Sequence, residues 1–142
     1  MTSETIFLKL GGSLLTDKTQ SEAVRLDVVR RMAAEITDAF EKKPQLRLIL
    51  GHGSGSYGHV AAARHGTRKG VKSREQWVGF TEVSSAAARL NAILREELLA
   101  AGLPAITFQP SASARCEDGV IQHMDIHSIE MACASGLLPI VY

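Results

Sequence analysis

Two glycine-rich segments of the chain have the composition of phosphate-binding loops. Residues 9–13 read Lys-Leu-Gly-Gly-Ser, and residues 51–59 read Gly-His-Gly-Ser-Gly-Ser-Tyr-Gly-His. Glycine adopts positive φ and lets a ligand approach the main chain, so several N–H groups can converge on one anion. The second segment also ends with a histidine where a helix can begin. Both segments therefore predict phosphate-handling loops.

The elements before these segments would place them side by side. Residues 6–10 and 46–50 each predict a β-strand, and the second is nearly all apolar, as buried parallel strands are. A helix is predicted between them, because apolar residues recur at spacings of three and four before Pro44. Its apolar face would comprise Leu26, Val29, Ala33, Ile36 and Phe40. Neighbouring parallel strands end at the same edge of a sheet, so both loops would face one cleft that suits a polyphosphate.

The rest of the chain continues the alternation of helix and strand. Helices are predicted at residues 57–65, 74–101 and 126–134, and strands at 105–108 and 138–142. Residues 113–123 predict a β-hairpin with an acidic-glycine turn. With 142 residues and 45% hydrophobic content, the chain can bury one core. We expect a single α/β domain over residues 1–142, a three-layer α/β/α sandwich with a mainly parallel sheet.

Composition argues against several classes of protein. The net charge is +1, and the basic segment 64–74 lacks interleaved aromatic residues, so a nucleic-acid partner is not expected. Residues 1–4 are polar, and no apolar run is long enough to span a bilayer, which predicts a cytoplasmic protein without a membrane partner. Four candidate metal ligands fit no common zinc spacing, so no protein-ligated metal is expected. They are Cys116, His123, His127 and Cys133.

Two other nucleotide-binding motifs do not account for the glycines. Gly53, Gly55 and Gly58 match the spacing of the dinucleotide fingerprint G-x-G-x-x-G. That fingerprint needs an acidic residue ending a second strand about 20 positions later, where this chain has a basic loop leading into a helix. The Walker pattern G-x-x-x-x-G-K-[ST] does not occur in the sequence.

Single residues near the loops have competing interpretations. Lys9 lies inside an apolar strand, and lysine is rarely buried without a partner, which favours a functional role. Lys18, in a polar loop, is by itself typical of a solvated charge. His52 could bind a backbone carbonyl. Phe80, at the start of the long helix, is either a core residue or part of an apolar pocket, together with Trp77 and Val83.

Taken together, these motifs resemble the amino acid kinase superfamily and, within it, the isopentenyl phosphate kinases. The similarity rests on Lys-Leu-Gly-Gly-Ser, on Thr16-Asp17-Lys18 and on the segment ending in Gly-Ser-Tyr-Gly-His. It continues through Gln109-Pro110-Ser111-Ala112 to the closing Leu-Pro-Ile-Val-Tyr, and so covers essentially the whole chain. The histidine of the second segment is its most specific feature.

The resemblance implies a role for each matching position. Lys18 would stabilise charge in the transition state, and His59 would donate a hydrogen bond to the acceptor phosphate, while Lys9 would contact the nucleotide phosphates. The remaining nucleotide contacts would come from Leu10, Gly11, Gly12, Ser13 and Gly55. The remaining substrate contacts would come from Gly53, Ser54 and Phe80.

The implied reaction is ATP-dependent phosphorylation of isopentenyl phosphate to isopentenyl diphosphate, a step in isoprenoid biosynthesis. Mg²⁺ would arrive with ATP, and the enzyme would be a homodimer. The chain would be the N-terminal half of such a kinase, without the adenine and ribose contacts. Two alternatives stay open. One is a kinase for another small phosphate or phosphonate, such as fosfomycin, and the other is a non-catalytic module for phosphate binding or dimerisation.

Overall fold

The structure, a computed structural model, describes residues 4–142. The polar start of the chain therefore lies mostly outside the described residues. The strands are β1 (Thr5–Leu10), β2 (Arg47–His52), β3 (Ala105–Phe108), β4 (Arg115–Glu117), β5 (Val120–His123) and β6 (Leu138–Val141). The α-helices are α1 (Gly12–Leu15), α2 (Leu26–Lys42), α3 (Gly55–His65), α4 (Arg74–Ala100) and α5 (His127–Ala134). Within residues 4–142, each strand and long helix predicted from the sequence is present.

Four strands form one parallel sheet in the order β1-β2-β6-β3. The first two strands are direct neighbours, and Leu10 at the end of β1 lies opposite His52 at the end of β2. Strand β6 enters between β2 and β3, with Ile140 opposite both Leu50 and Thr107. The loops that follow β1 and β2 therefore leave the sheet at the same edge.

Helices cover both faces of this sheet. Leu48, Leu50 and Ile140 share a buried core with residues of α2 and α4, which lie over one face. The alternate residues of β2 point to the opposite face, where α5 lies. There, burial raises the pKa of the Cys133 thiol, and the charge of Arg47 from β2 partly opposes this shift. Helix α5 also contacts β2 and β6. The expected three-layer α/β/α arrangement with a parallel sheet is confirmed.

Local sequence signals set the ends of the two long helices. Helix α2 buries Val29, Ala33 and Ile36, as the spacing predicts, and ends at Lys42 just before Pro44. Helix α4 begins with a capping box, in which Ser73 accepts from the Gln76 N–H and the Gln76 side chain accepts from the Ser73 N–H. It runs for 27 residues.

Strand β1 is an edge strand of the sheet within the described residues. Lys9 is exposed there, and Phe7 is 59% exposed with its ring over Gly51. The expectation that Lys9 is buried is wrong, because no described element covers this side of β1. A functional role for Lys9 cannot be argued from burial.

The predicted hairpin is present as β4 and β5, which pair antiparallel. Asp118 and Gly119 connect the strands with φ values of 48° and 78°. Positive φ at both central residues is the geometry that fits the twist of a two-residue hairpin. No helix among residues 4–142 has the length and apolarity needed to cross a bilayer.

Candidate functional site

The two glycine loops meet at the carboxyl ends of β1 and β2. The Gly53 N–H donates to the Leu10 carbonyl over 3.2 Å. A Cβ atom at Gly12 would lie 2.5 Å from the Gly55 nitrogen, closer than any side chain tolerates. The main chains can approach this far only because both positions are glycine. The expectation that the loops share one edge of the sheet is therefore confirmed.

Thr16 joins the two loops through its hydroxyl group. Its side chain is fully buried, and Oγ1 donates to the Gly12 carbonyl over 2.8 Å while accepting from the Ser56 N–H over 2.9 Å. Gly55 has φ +52°, and a Cβ atom there would lie 2.2 Å from the same Oγ1. The sequence interpretation did not find this role, since one threonine in a polar loop has no distinguishing pattern.

Only some backbone N–H groups of the two loops stay available to an anion, because those of Gly53 and Ser56 already donate to Leu10 and Thr16. Helix α1 begins at Gly12 after Gly11, and α3 begins at Gly55 after Ser54, and neither helix has a side-chain cap at this end. First-turn N–H groups have no acceptor within their own helix. Both helix starts therefore present partial positive charge at the meeting point of the loops. Such a cradle fits the phosphate groups of a nucleotide.

Lys18 and His59 line one cavity beside these loops, with a volume of about 360 Å³. Both side chains are exposed to it. Its wall consists of Lys18, Thr19, Gln20, Ser21, Ser56, His59 and Val60. The structure thus brings together a lysine and a histidine that are 41 positions apart in the sequence.

Asp17 orders the turn that carries Lys18. Its Oδ1 accepts from the Thr19 N–H over 2.8 Å and from the Thr19 hydroxyl over 2.7 Å. These hydrogen bonds, with a smaller contribution from the Arg25 charge, lower the pKa of the Asp17 carboxyl. The ionised carboxylate therefore fixes the backbone next to Lys18 at neutral pH.

The other predicted contacts lie around this cavity rather than within it. Lys9 is opposite Gly51, at the loop end of β1, but does not line the cavity of Lys18 and His59. The Ser54 hydroxyl packs against Gly58, where a Cβ atom would lie 2.3 Å from it. Leu10 is buried in the core, so only its main chain is available to a nucleotide.

Phe80 lines a second, mainly apolar cavity of about 130 Å³. The wall includes Val83 and Ala87 from α4, Gln109 and Ser111 from beyond β3, and Tyr142. Trp77 packs edge-on against Phe80 with ring centroids 5.7 Å apart, yet it is 55% exposed and is not a core residue. Phe80 and His59 therefore belong to different cavities.

A buried hydrogen-bond network connects this second cavity with the glycine loop. The His52 ring stacks on Tyr142 at 5.4 Å, its Nδ1 lies 3.1 Å from the Gly53 carbonyl, and its Nε2 lies 3.0 Å from the Asn91 amide nitrogen. The Asn91 carbonyl accepts from the Thr107 hydroxyl over 2.8 Å. Burial, opposed by the Gly53 carbonyl, lowers the pKa of His52. His52 is thus neutral, with Nδ1–H donating to Gly53.

Metal ligands are not clustered in the described part of the chain. No group of three or more His, Cys, Asp or Glu side chains is placed there to hold an ion. Cys116 is exposed on the hairpin, whereas Cys133 is buried in α5.

Comparison with known proteins identifies the family of this chain. The model of the amino acid kinase family matches residues 4–142, nearly the whole chain. The chain belongs to the amino acid kinase family.

Two curated relatives of this amino acid kinase family chain are named isopentenyl phosphate kinase. One, from Methanothermobacter thermautotrophicus, is 36% identical over 96% of this chain and 52% of its own length. The other, from Methanocaldococcus jannaschii, is 32% identical over 95% of this chain and 54% of its own length. A solved isopentenyl phosphate kinase structure superposes with a TM-score of 0.88 at 36% identity, covering 98% of this chain and 56% of the solved one. The chain thus spans about half the length of the curated relatives it matches.

Proposed function

We propose that this chain supplies the phosphate-binding half of a kinase that phosphorylates isopentenyl phosphate with ATP, giving isopentenyl diphosphate and ADP. One observation carries the proposal. The two glycine loops meet beside a cavity that Lys18 and His59 share, in a chain 36% identical to a curated isopentenyl phosphate kinase. Phosphoryl transfer needs aligned reactants and compensated charge more than covalent help from the protein, and these groups can provide both.

The N–H groups of Gly11, Gly12 and Ser13 would bind the nucleotide phosphates, with Lys9 reaching them from the end of β1. Gly55 would offer its N–H from the second loop. Mg²⁺ accompanying ATP would neutralise further phosphate charge. No protein carboxylate is assigned to it, because Mg²⁺ commonly keeps several waters.

The acceptor phosphate would lie between Lys18 and His59. His59 would donate a hydrogen bond that orients the attacking oxygen, with Gly53 and Ser54 completing the contact. An ionised phosphate is already nucleophilic, so a donor suits this step better than a general base does. The Lys18 ammonium would stabilise charge that develops during transfer. The isopentenyl tail would enter the apolar cavity at Phe80.

A homodimer and the organisation of residues 1–142 as one half of a kinase domain stay predictions of the family resemblance, and a cytoplasmic location stays a prediction from the sequence. A kinase for fosfomycin would use the same lysines and histidine, so phosphorylation assays must compare both acceptors with simple alkyl phosphates. A module without catalytic activity would bind phosphate but turn over none of these acceptors.

The role of His59 is tested in the protein extended to the length of its relatives. We expect His59→Ala to lower kcat/KM for isopentenyl phosphate by about 10- to 100-fold, the cost of a lost hydrogen bond to a charged group. His59→Asn should keep more activity, because asparagine retains an N–H donor. His123→Ala, an exposed histidine on β5, serves as the control. Undiminished rates for His59→Ala would remove this residue from the mechanism.

A further inference from the structure

Ser56 has a buried hydroxyl group with no hydrogen-bond partner among the described residues. The residue lies in the first turn of α3 and is 5% exposed. Its backbone N–H is bonded to Thr16, but its Oγ atom neither donates nor accepts within residues 4–142. Buried hydroxyl groups normally find a partner, because losing hydration without replacement costs free energy. This hydroxyl therefore needs a partner that residues 4–142 do not supply.

The surroundings of Ser56 suit an anion. The residue lines the same cavity as Lys18 and His59, together with the polar side chains of Thr19 and Gln20. The start of α3, which has no side-chain cap, adds partial positive charge. A phosphate oxygen in the cavity would accept a hydrogen bond from the Ser56 hydroxyl.

We propose that the Ser56 hydroxyl donates a hydrogen bond to the phosphate that Lys18 and His59 bind. The assignment of that phosphate to the acceptor substrate rests on the proposed function, whereas the contact itself rests on the unpartnered Oγ atom and the cavity. Ser56 is then a binding residue in addition to those that the family resemblance implies. The glycine loop would thus hold the phosphate by a side chain as well as by its main chain.

The test measures anion affinity and stability in the same variants. Isothermal titration with isopentenyl phosphate and with inorganic phosphate would compare wild type with Ser56→Ala and Ser56→Cys, all in the protein extended to the length of its relatives. Cysteine fills similar space but is a weak donor. We expect both variants to bind about 10- to 100-fold more weakly. Ser135→Ala, at the exposed end of α5, should bind as the wild type does.

Stability separates a ligand contact from a structural role. Removing an unpartnered buried hydroxyl should leave the Tm of the ligand-free Ser56→Ala protein unchanged or raise it. A hydroxyl that served only the fold would lower the Tm on removal and leave anion affinity unchanged, and that result would overturn the proposal.

Titration with the two anions distinguishes a failure of the Ser56 contact from a failure of the proposed function. If wild type binds isopentenyl phosphate and Ser56→Ala binds it equally well, the Ser56 contact is refuted and the kinase proposal stands. If inorganic phosphate binding depends on Ser56 but isopentenyl phosphate binds no more tightly, the contact is upheld and the substrate assignment fails. If neither anion binds to the extended wild-type protein, both proposals fail.

Discussion

Gly55 shows how a single position without a side chain sets the geometry of the site. It has φ +52°, and a Cβ atom there would lie 2.2 Å from the Thr16 hydroxyl and 2.8 Å from the Gly12 carbonyl. Glycine is needed both for the backbone conformation and for the contact between the loops. Gly102, after α4, shares only the first requirement, since its φ is +84° and no atom lies within 4 Å of its Cβ position.

Alanine at these two glycines should separate the two requirements. We expect Gly102→Ala to lower the free energy of unfolding by about 1–2 kcal/mol, the cost of a left-handed conformation for a residue with a side chain. Gly55→Ala should cost more and should also weaken phosphate binding, because the loops must move apart. Urea unfolding and phosphate titration of both variants provide the measurement. If the two variants lost equal amounts of unfolding free energy and bound phosphate equally well, the contact between the loops would not constrain the site.

Polar residues that act singly could not be predicted from the sequence. The glycine segments were recognisable because glycine spacing after an apolar strand has a direct structural meaning. Thr16, Ser56 and Asn91 have no such pattern, since their roles depend on hydrogen bonds or cavities formed by distant residues. The expectation that Lys9 is buried was wrong for a related reason, because the sequence does not reveal which strand lies at an edge.

At the scale of elements, His52 links three of them. Its ring lies at the end of β2, bonds to Asn91 of α4, and through Asn91 reaches Thr107 of β3. Asn91 presents its amide nitrogen to Nε2, so the observed network uses a neutral imidazole. If Nε2 were protonated, two hydrogen-bond donors, the Nε2–H of His52 and the amide N–H of Asn91, would point at each other.

The lowered pKa of His52 predicts a loss of stability in acid. The unfolded chain binds a proton on this imidazole near the ordinary histidine pKa of 6.5, whereas burial lowers the pKa in the folded chain, which resists protonation until lower pH. The unfolded state therefore gains protons first as the pH falls through this range. We expect the free energy of unfolding to decrease between about pH 7 and about pH 5, and to decrease less in His52→Gln.

Urea unfolding of both proteins across that range provides the check on His52. The other histidines are common to both proteins, so their contributions cancel in the comparison. An identical pH dependence would show that His52 titrates equally in the folded and unfolded chains.

Helix and strand limits followed from local sequence, whereas the order of strands did not. Helix α4 was predicted at residues 74–101 and is present at Arg74–Ala100, since Gly102 and Pro104 mark its end. The neighbouring positions of β1 and β2 followed from the short connection through one helix. The entry of β6 between β2 and β3 depends on contacts between residues far apart in the chain, for which periodicity gives no information.

At the scale of the molecule, one core supports the sheet and the loops that leave it. Leu50 is fully buried in β2, between Leu8 and Ile140 in the neighbouring strands, and it belongs to the core shared with α2 and α4. Two residues later the same strand reaches His52, where the glycine loop begins. Packing beneath β2 therefore determines the position of the phosphate-binding loop.

Leu50→Ala should destabilise the whole fold by about 2–5 kcal/mol, the usual cost of a cavity in a well-packed core. Leu99→Ala, at a 44% exposed position of α4, is the matched control and should change stability by only about 0.5 kcal/mol. Urea unfolding followed by circular dichroism gives both values. Similar small changes in the two variants would contradict the assignment of Leu50 to the central core.

The position of β6 has a consequence for synthesis on the ribosome. This strand is last in the chain order but lies between β2 and β3, and within residues 4–142 it is the strand through which β3 joins the sheet. A nascent polypeptide that has emerged only to residue 137 can pair β1 with β2, yet β3 has no docking position. The strand edges at Leu50 and Thr107, which later pair with Ile140, then stay open to other polypeptides, so the nascent chain is most exposed to aggregation during this interval.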